Sequence, residues 1–388
     1  MEDEEELDRG AELLTLMLTL SERAGNIARR IRKDDHLIEL LTQKKEGDEA
    51  NPRFVQDFKT LADVLIQETV RHFIGTQFPE LAPHIKGEES AKFSNALGET
   101  VTVEVKSTKE ETAEMLCKVL DGDQAAAEML AEEVHRVVEI DRVNIGYVPI
   151  PPDLELPIED LGIWIDPIDS TAEYIAGDPA GAPIPDPQAM AASGLHCVTI
   201  LIGAYDRNTG TPVMGIVNQP FYSRNFDDQY VGRCCWGVCW GEVRIFSNPI
   251  CDCDSQSKLI AISGSENPEI KTSLEEAGYT VCQAAGAGYK LYCVILGIAQ
   301  AYILTRDSTF KWDTCGPQAI LRAHGGDILI FSTLGEHNRS VRYTKNDVDE
   351  GVPDLMAQYC NRGGIVAYRS ANTLCDIINA LCEEVEDE

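Results

Sequence analysis

Apolar residues recur at helical spacing in the N-terminal part of the chain. Residues 11–41 carry them three and four positions apart, and residues 58–73 repeat this spacing after a charged break at 44–52. Such a period places the apolar side chains on one face of a helix. The pattern therefore predicts two amphipathic helices, and residues 110–138 predict a third helical segment with a strongly acidic surface.

Short apolar runs bounded by glycine, proline and aspartate predict strands. Residues 196–205 and 212–217 flank a turn-like sequence at 206–210, which is typical of a β-hairpin. The other predicted strands are 101–105, 162–165, which Asp166-Pro167 should end, 259–263, 301–304, 328–331 and 364–368. The helices predicted in the second half are 269–276, 289–297, 317–323 and 373–381.

Strands and helices interleave along the whole chain, which predicts an α/β protein. We expect two parts, an N-terminal α+β part over residues 1–220 with helices on an antiparallel sheet, and a C-terminal α/β part over residues 221–388. The stretches 148–152 and 177–193 are rich in proline, glycine or aspartate and predict loops.

The net charge changes the choice of partners. The chain has 33 Lys and Arg against 65 Asp and Glu, a formal charge of −32. Nucleic acids and anionic membrane surfaces attract an excess of basic residues, so neither is an expected partner. The hydrophobic content of 44% is nevertheless that of a globular protein.

The cysteines and the chain's N-terminal composition favour a reducing, cytoplasmic location. The first residues are acidic rather than basic and then apolar, and no apolar run reaches the roughly 18 residues of a membrane span. Most of the 13 cysteines are expected to act as small core residues. The densest group lacks the paired CxxC spacing of zinc sites, which disfavours zinc there: Cys234, Cys235, Cys239, Cys251 and Cys253.

The sequence Asp166-Pro-Ile-Asp169-Ser-Thr171 carries the strongest chemical signal. It follows a predicted strand and precedes a short helix, the position at which open α/β sheets build sites. Proline stiffens the segment, so two carboxylates and the Ile168 carbonyl can converge on a hard divalent cation. Ser170 and Thr171 lie at a helix N-terminus, which favours phosphate. The alternative is a capping aspartate with an incidental acidic neighbour.

Three further acidic pieces are ambiguous when taken singly. Glu88 and Glu89 form a pair in a loop after the second helix, and solvated acids are the alternative there. Asp63 lies among apolar residues of that helix, where a buried carboxylate needs a partner or a metal. Asp313 ends the sequence Lys-Trp-Asp before an apolar stretch and could equally be a helix cap.

These four pieces, in this order, resemble the D…EE…DP(I/L)D(G/S)T…WD signature of the inositol monophosphatase superfamily, the lithium-sensitive, magnesium-dependent phosphomonoesterases. The resemblance covers nearly the whole chain and is carried by residues 57–65, 87–90, 162–171, 197–203, 284–290, 309–313 and 363–369. Ser170, where simpler members carry glycine, and the long acidic insertion between Glu89 and Asp166 resemble the branch that acts on inositol polyphosphates.

The resemblance implies a layered αβαβα sugar-phosphatase fold and removal of the 1-phosphate from inositol 1,4-bisphosphate and inositol 1,3,4-trisphosphate. It also implies two or three Mg²⁺ ions, with Li⁺ as an inhibitor. One ion would be held by Glu88, Asp166 and the Ile168 carbonyl, a second by Asp166, Asp169 and Asp313, and a weaker third by Glu88 with Glu89. Asp63, counted with the metal centre, would pair with Thr171 to orient and deprotonate water.

Carried over in the same way, the candidate substrate contacts are Asp169, Ser170, Thr171, Ser265, Gly286, Ala287, Lys290 and Ser308. Lys290 is the cation expected to meet the 4-phosphate. Asn267 lies where the resemblance leads us to expect a lysine, so the assignment of the loop at 263–268 is weaker. Most metal ligands would belong to the N-terminal part, and Asp313 with the ring contacts to the C-terminal part.

Two alternatives stay open at this stage. A 3′(2′),5′-bisphosphate nucleotidase shares the metal signature, and a catalytically silent, acidic Ca²⁺-binding protein would explain the charge. No EF-hand loop is present in the sequence, which disfavours the second. The expected partners are small inositol phosphates, with neither nucleic acid nor membrane, and the expected state is a monomer or weak oligomer.

Overall fold

The computed structural model describes residues 8–34, 37–38, 41–45, 58–94, 98–146, 148–179, 182–186, 188–247, 258–344 and 355–382. The α-helices are α1 (Arg9–Arg32), α2 (Leu61–Gln77), α3 (Lys109–Val119), α4 (Gln124–His135), α5 (Thr171–Ala176), α6 (Pro268–Glu276), α7 (Ala287–Leu296), α8 (Lys311–Ala323), α9 (Leu355–Tyr359) and α10 (Ala371–Cys382). The strands are β1 (Thr42–Lys44), β2 (Phe58–Thr60), β3 (Ile85–Gly87), β4 (Lys92–Ser94), β5 (Thr100–Thr102), β6 (Leu161–Asp169), β7 (Thr199–Asp206), β8 (Pro212–Arg224), β9 (Tyr230–Trp240), β10 (Val243–Phe246), β11 (Leu259–Ile262), β12 (Thr280–Gln283), β13 (Ala301–Leu304), β14 (Asp327–Ile330) and β15 (Ile365–Tyr368).

Six strands form the larger sheet in the order β10-β9-β8-β7-β6-β3. Its neighbours are antiparallel except for β3 and β6, and β7 with β8 confirms the predicted hairpin. Alternate residues of a strand point to opposite faces. Accordingly, Ile163 and Ile165 of β6 pack with α1 and α2, whereas Trp164 between them packs with α7 and α8.

The smaller sheet has the order β12-β11-β13-β15-β14, with parallel and antiparallel neighbours. Ala261 of β11 faces α7 and α8, while Ile260 and Ile262 face the outer helices α6 and α10. The layers therefore run helix, sheet, helix, sheet, helix, which confirms the expected fold class. The division at residues 220 and 221 stays a prediction; this position falls inside β8, whose sheet continues to Phe246.

Glycines let α8 lie directly on the backbone of the larger sheet. A Cβ added to Gly203 of β7 would lie 2.3 Å from the Gly316 nitrogen, and one on Gly215 of β8 would lie 1.9 Å from the Gly316 oxygen. No side chain fits at these distances. This contact therefore sets the depth at which the first turn of α8, with Asp313, approaches the sheet.

Four helical predictions are wrong in their bounds. The helix expected at 11–41 ends at Arg32, and the helix expected at 317–323 begins six residues earlier, at Lys311. The strand expected at 101–105 ends at Thr102.

The helix expected at 58–73 begins only at Leu61, because Thr60 ends β2 and caps the helix with its side chain. The helical segment expected at 110–138 is two helices, α3 and α4. They are separated at Asp121 and Gly122, whose φ values of 51° and 92° belong to the left-handed region.

The expectation that Asp166-Pro167 ends its strand is also wrong, since β6 continues to Asp169. Asp166 pairs with Leu201 of β7 and Asp169 with Thr199, so three steps along β6 match two along β7. Such a bulge accommodates a proline that has no N–H to donate, and it re-aims side chains. The two aspartates that follow the apolar run thus belong to one irregular strand end.

Seven of the eleven described cysteines are buried, Cys117 and Cys282 are half-buried, and Cys375 and Cys382 are exposed, so most but not all of them are core residues. Cys234, Cys235 and Cys239 are buried in β9, whereas Cys251, Cys253 and the acidic ends of the chain lie outside the described residues. Within the described ranges, no helix combines the length and the apolar character that crossing a lipid bilayer requires.

Candidate active site

Three carboxyl groups meet at the end of β6. Asp166 and Asp169 from β6 and Asp313 from α8 each offer an oxygen within 4.8 Å of the other two, and all three residues are buried. Burial raises the pKa of each carboxyl, and the neighbouring negative charges act in the same direction. For Asp169 the Lys290 charge and the Ala287 N–H oppose burial, and the net effect raises the pKa to about 6. Unless they are protonated or bound to a cation, such groups repel one another.

A hard divalent cation suits these residues. Asp166 Oδ1 is buried and has no hydrogen-bond partner among the residues that the structure describes. A buried carboxylate oxygen without a partner is costly, and an oxygen-only donor set is the kind that Mg²⁺ and Ca²⁺ prefer. The predicted second metal site is thus composed of residues that do lie together.

The N-terminus of α7 holds Asp169 in place. The backbone N–H of Ala287 donates to Asp169 Oδ1 at 3.2 Å, and that of Gly288 donates to Oδ2 at 3.0 Å. Thr199 Oγ1 adds a third bond at 3.3 Å. Because free N–H groups and the helix dipole favour an anion, Asp169 is oriented before any ligand enters.

Asp63 and Asp313 occupy equivalent places in two helices. Each is the third residue of its helix, and each accepts the backbone N–H of the residue three positions earlier through Oδ2 at 2.7 Å, from Thr60 and from Phe310. The capping role considered for Asp313 and its place in the carboxylate cluster therefore coexist. A first-turn acid satisfies the helix terminus and presents its other oxygen to the site.

The predicted pair of Asp63 and Thr171 is brought together across more than a hundred residues of chain. Thr171 Oγ1 lies 3.4 Å from Asp63 Oδ1 and 3.1 Å from the Ile168 carbonyl oxygen. The Asp63 Oδ2 atom is taken by Thr60, so Oδ1 is the atom that faces Thr171. Burial raises the pKa of Asp63 to about 6, against the opposing hydrogen bonds from Thr60.

Glu88 and Glu89 face different surroundings. Glu88 lines the cleft, whereas Glu89 is buried behind it, and Lys45 lies between them with Nζ 2.7 Å from Glu88 Oε1 and 2.6 Å from Glu89 Oε1. Burial raises the pKa of Glu89 to about 8, although the Lys45 charge opposes this. Sequence reasoning missed Lys45, because it lies in the charged break between helices, where no pattern marks it.

One cleft of about 980 Å³ opens between the two sheets at this cluster, a size usual for a small-molecule site. The structure places on its lining every predicted substrate contact: Asp169, Ser170, Thr171, Ser265, Gly286, Ala287, Lys290 and Ser308. Their contact with a substrate stays a prediction. Arg306 also lines the cleft and was missed, since a single arginine in a loop carries no pattern.

The Lys290 ammonium is already hydrogen-bonded within the protein. It donates to the carbonyl oxygens of Ala284 at 2.9 Å and Gly286 at 2.6 Å, and it lies over the Tyr302 ring at 5.1 Å. The residue is 4% exposed, and burial lowers the pKa of its ammonium. Lys290 therefore braces the turn that leads into α7.

Ser170 has a strained backbone between Asp169 at the end of β6 and Thr171 at the start of α5. Its φ of 74° lies in the left-handed region, where glycine is favoured, and it occupies the N-cap position of the six-residue helix α5 without a capping bond from its side chain. The conformation brings Thr171 back towards the Ile168 carbonyl. A strained residue at this point agrees with a site whose geometry the surrounding structure imposes.

A layered α/β fold with a buried carboxylate cluster, a carboxylate–hydroxyl pair and an open cleft is an arrangement suited to a metal-dependent hydrolase. The profile of the inositol monophosphatase family matches residues 65–343. The chain belongs to this family.

Two curated relatives match along almost their whole length. The inositol polyphosphate 1-phosphatase of Mus musculus is 41% identical over 97% of this chain and 98% of its own, and that of Homo sapiens is 39% identical over the same shares. The 3′(2′),5′-bisphosphate nucleotidase 1 of Mus musculus is 33% identical, over 48% of this chain and 55% of its own.

Solved structures agree on the fold. The extragenic suppressor protein suhB of Bartonella henselae has a TM-score of 0.52 at 12% identity and covers 96% of this chain and 100% of its own. The staphylococcal inositol monophosphatase-1 soaked in 100 mM LiCl has a TM-score of 0.52 at 13% identity, with 97% of each chain covered. At such identities the likeness shows the layered fold alone.

Gly286→Ala should disable the site by displacing Asp169. Gly286 has a φ of 73°, and an added Cβ would lie 2.7 Å from Asp169 Oδ2 and 2.9 Å from the Cys197 carbonyl oxygen. We expect Mg²⁺ affinity, measured by calorimetry, and phosphatase activity to fall about a hundredfold, the usual cost of a 1 Å misplacement. Gly264→Ala is the control for Mg²⁺ affinity, since its Cβ meets only Gln283 Oε1 at 4.0 Å and none of the clustered carboxylates. Equal behaviour of the two variants would contradict the argument.

Proposed function

We propose that the protein is a Mg²⁺-dependent phosphomonoesterase of the cytoplasm that removes the 1-phosphate of inositol 1,4-bisphosphate and inositol 1,3,4-trisphosphate. The observation that carries the proposal is the cluster of Asp166, Asp169 and Asp313 beside the pair of Asp63 and Thr171. The near full-length similarity to inositol polyphosphate 1-phosphatases supports the choice of substrate.

Following the family resemblance, we assign the candidate ligands to two principal metal positions and one weaker position. Glu88, Asp166 and the Ile168 carbonyl would hold one ion, and Asp166, Asp169 and Asp313 a second. Glu88 and Glu89 would contribute to a third, where Lys45 now lies between them. Bound divalent cations supply charge for the phosphoryl oxygens and lower the pKa of a coordinated water. Competition at one of these positions accounts for the proposed inhibition by Li⁺.

Asp63 and Thr171 then act as the proton acceptor of the reaction. Thr171 can donate its hydroxyl hydrogen to Asp63 Oδ1, which leaves its own oxygen to accept a hydrogen bond from the attacking water. The water proton passes through this hydroxyl to the Asp63 carboxylate. A pKa of about 6 makes Asp63 a stronger base than an exposed aspartate and keeps it ionised at neutral pH.

Phosphate release from inositol 1,4-bisphosphate and from 3′-phosphoadenosine 5′-phosphate, assayed side by side with Mg²⁺, tests the proposal. We expect the inositol substrate to be preferred and millimolar Li⁺ to inhibit. The second candidate, a bisphosphate nucleotidase, rests on similarity over less than half of the chain. A higher kcat/KM for the nucleotide would overturn the substrate assignment.

Asp63→Asn should separate chemistry from metal binding. The amide keeps the shape of the side chain but cannot take the proton, so we expect kcat to fall about 10²- to 10⁴-fold while Mg²⁺ affinity changes little. Asp153→Asn, which changes an exposed aspartate outside the cleft, is the matched control. Full activity of the Asp63 variant would refute the proton-accepting role.

Mg²⁺ binding should weaken as the pH falls through about 6. Asp169 has a pKa of about 6 in the metal-free protein, so it is ionised above this pH and protonated below it. Protons then compete with the metal for the same oxygens. From pH 7 to pH 5 we expect affinity to fall at least about tenfold through this carboxyl alone, which calorimetry at several pH values would measure. An affinity independent of pH in this window would contradict the assigned ligands.

A further inference from the structure

The cleft is short of positive charge for a substrate that carries two or three phosphates. Among the described residues that line it, the acids are Glu88, Asp166, Asp169, Asp307 and Asp313, and the cations are Lys290 and Arg306. Metal ions can neutralise the acidic end, where the cleaved phosphate would lie. The phosphate groups elsewhere on the ring need another partner. We infer that Arg306 binds a phosphate of the substrate other than the one that is cleaved; this inference rests on the proposed function.

The two other candidates for this task are already engaged. Lys290 is buried and donates to two backbone carbonyls, so a phosphate would have to compete for its remaining hydrogen. Asn267 carries no charge. Its side-chain oxygen accepts the Glu269 N–H at 3.0 Å to cap α6, and its amide donates to the Glu269 carboxylate at 3.3 Å.

Arg306 differs from both. It is exposed, and its guanidinium makes no hydrogen bond or ion pair with any part of the chain that the structure describes. An arginine fork can bind two phosphate oxygens at once, and it keeps its charge at any physiological pH. The protein has a formal charge of −32 and the cleft is acidic. The Arg306 guanidinium is therefore the group there that can attract a phosphate substituent of the inositol ring.

The backbone on both sides of Arg306 is held in place. Glu266 accepts the Thr305 N–H at 2.9 Å and the Thr305 hydroxyl, and it also accepts the Asn267 N–H at 2.8 Å. Asp307 accepts the Gly363 N–H at 2.7 Å. The loop that carries Ser265 and the loop that carries Arg306 are therefore tied together, and Arg306 lines the cleft from an anchored position. Arg306 is accordingly a specificity-determining residue for inositol rings with at least two phosphates.

The test compares two substrates that differ by one phosphate, inositol 1,4-bisphosphate and inositol 1-phosphate, in wild type and Arg306→Gln. We expect the ratio of kcat/KM values, bisphosphate over monophosphate, to fall about three- to tenfold, with the loss lying in KM. Arg306→Lys should recover part of the ratio, because it restores the charge but not the fork. Higher salt should shrink the difference between variants, since the contact is exposed.

Arg339→Gln is the matched control. It removes the same charge from an exposed position outside the cleft, and its ratio should equal that of wild type. If Arg306→Gln gave the same ratio as Arg339→Gln, Arg306 would not bind the second phosphate, and the proposed function would stand. If wild type released phosphate from neither inositol compound, the proposed function would be wrong and the inference would fall with it.

Discussion

Asp166→Asn will lower Mg²⁺ affinity and activity by orders of magnitude and at the same time make the metal-free protein more stable. Asp166 is buried beside Asp169 and Asp313, and its Oδ1 has no hydrogen-bond partner among the described residues. Burial, followed by the charges of Glu88, Asp169 and Asp313, raises the pKa of its carboxyl. An amide removes one negative charge from this group and also removes the ligand shared by both principal metal positions.

Function falls while stability without metal rises, because the clustered carboxylates repel one another unless a cation is bound between them. We expect kcat/KM to fall about a thousandfold, as for other lost electrostatic stabilisation of a transition state. Without metal, the free energy of unfolding should rise by about 1 to 2 kcal/mol. Thermal melts in chelator and in Mg²⁺, together with phosphate release, measure both.

Asp206→Asn provides the matched control. Asp206 is also buried, but it accepts the Asn208 N–H at 3.0 Å and the Thr209 hydroxyl at 2.6 Å in the β7–β8 turn. Its substitution should therefore cost about 1 to 2 kcal/mol of stability and leave Mg²⁺ binding intact. An Asp166→Asn protein that is less stable without metal, or that still gains stability from Mg²⁺ as wild type does, would show that the cluster is not a strained metal site.

Gly215→Val will separate α8 from the larger sheet. The first added carbon alone would lie 1.9 Å from the Gly316 oxygen and 2.6 Å from its carbonyl carbon. Both partners are backbone, so neither can move without moving the helix or the strand. We expect a loss of about 3 kcal/mol or more in the free energy of unfolding, at the upper end of overpacking effects.

The same substitution should also displace Asp313 in the active site, because Asp313 lies in the first turn of α8. Protein that still folds should bind Mg²⁺ more weakly, which calorimetry on the purified variant would show. Gly264→Val is the stability control, since a Cβ there meets only Gln283 Oε1 at 4.0 Å, and it should change stability by no more than about 0.5 kcal/mol. Wild-type stability and affinity in Gly215→Val would mean that α8 does not set the position of Asp313.

The local chemistry of the site could be predicted wherever one short segment carries it. Asp166, Asp169 and Thr171 lie in six consecutive residues, so proline, strand and helix signals determine their relation. The extension of β6 through Pro167 could not be predicted in this way. It depends on the register slip against β7, and a strand's partner is not written in its own sequence.

Lys45 and Arg306 show a second limit of prediction from sequence, since no pattern marked either residue as part of the site. Each is a single basic residue in a segment without periodicity, and its role follows from what faces it, two glutamates in one case and an open cleft in the other. Lys290 shows the converse. The family resemblance implies that it meets the 4-phosphate, which stays a prediction, and no sequence pattern indicates that burial and two carbonyl acceptors engage it in the turn before α7.

The sequence by itself determined the α/β class through its hydrophobic period, and the family through short motifs whose resemblance also implied the layered fold and the candidate acids, because such patterns are properties of neighbouring residues. The tertiary structure decided which acids meet. Asp313 joins Asp166 and Asp169 only because Gly203, Gly215 and Gly316 let α8 lie on the sheet, and Asp63 meets Thr171 only because Thr60 orients it at the start of α2. These are contacts between distant segments, and packing energy, which depends on all the segments at once, selects them.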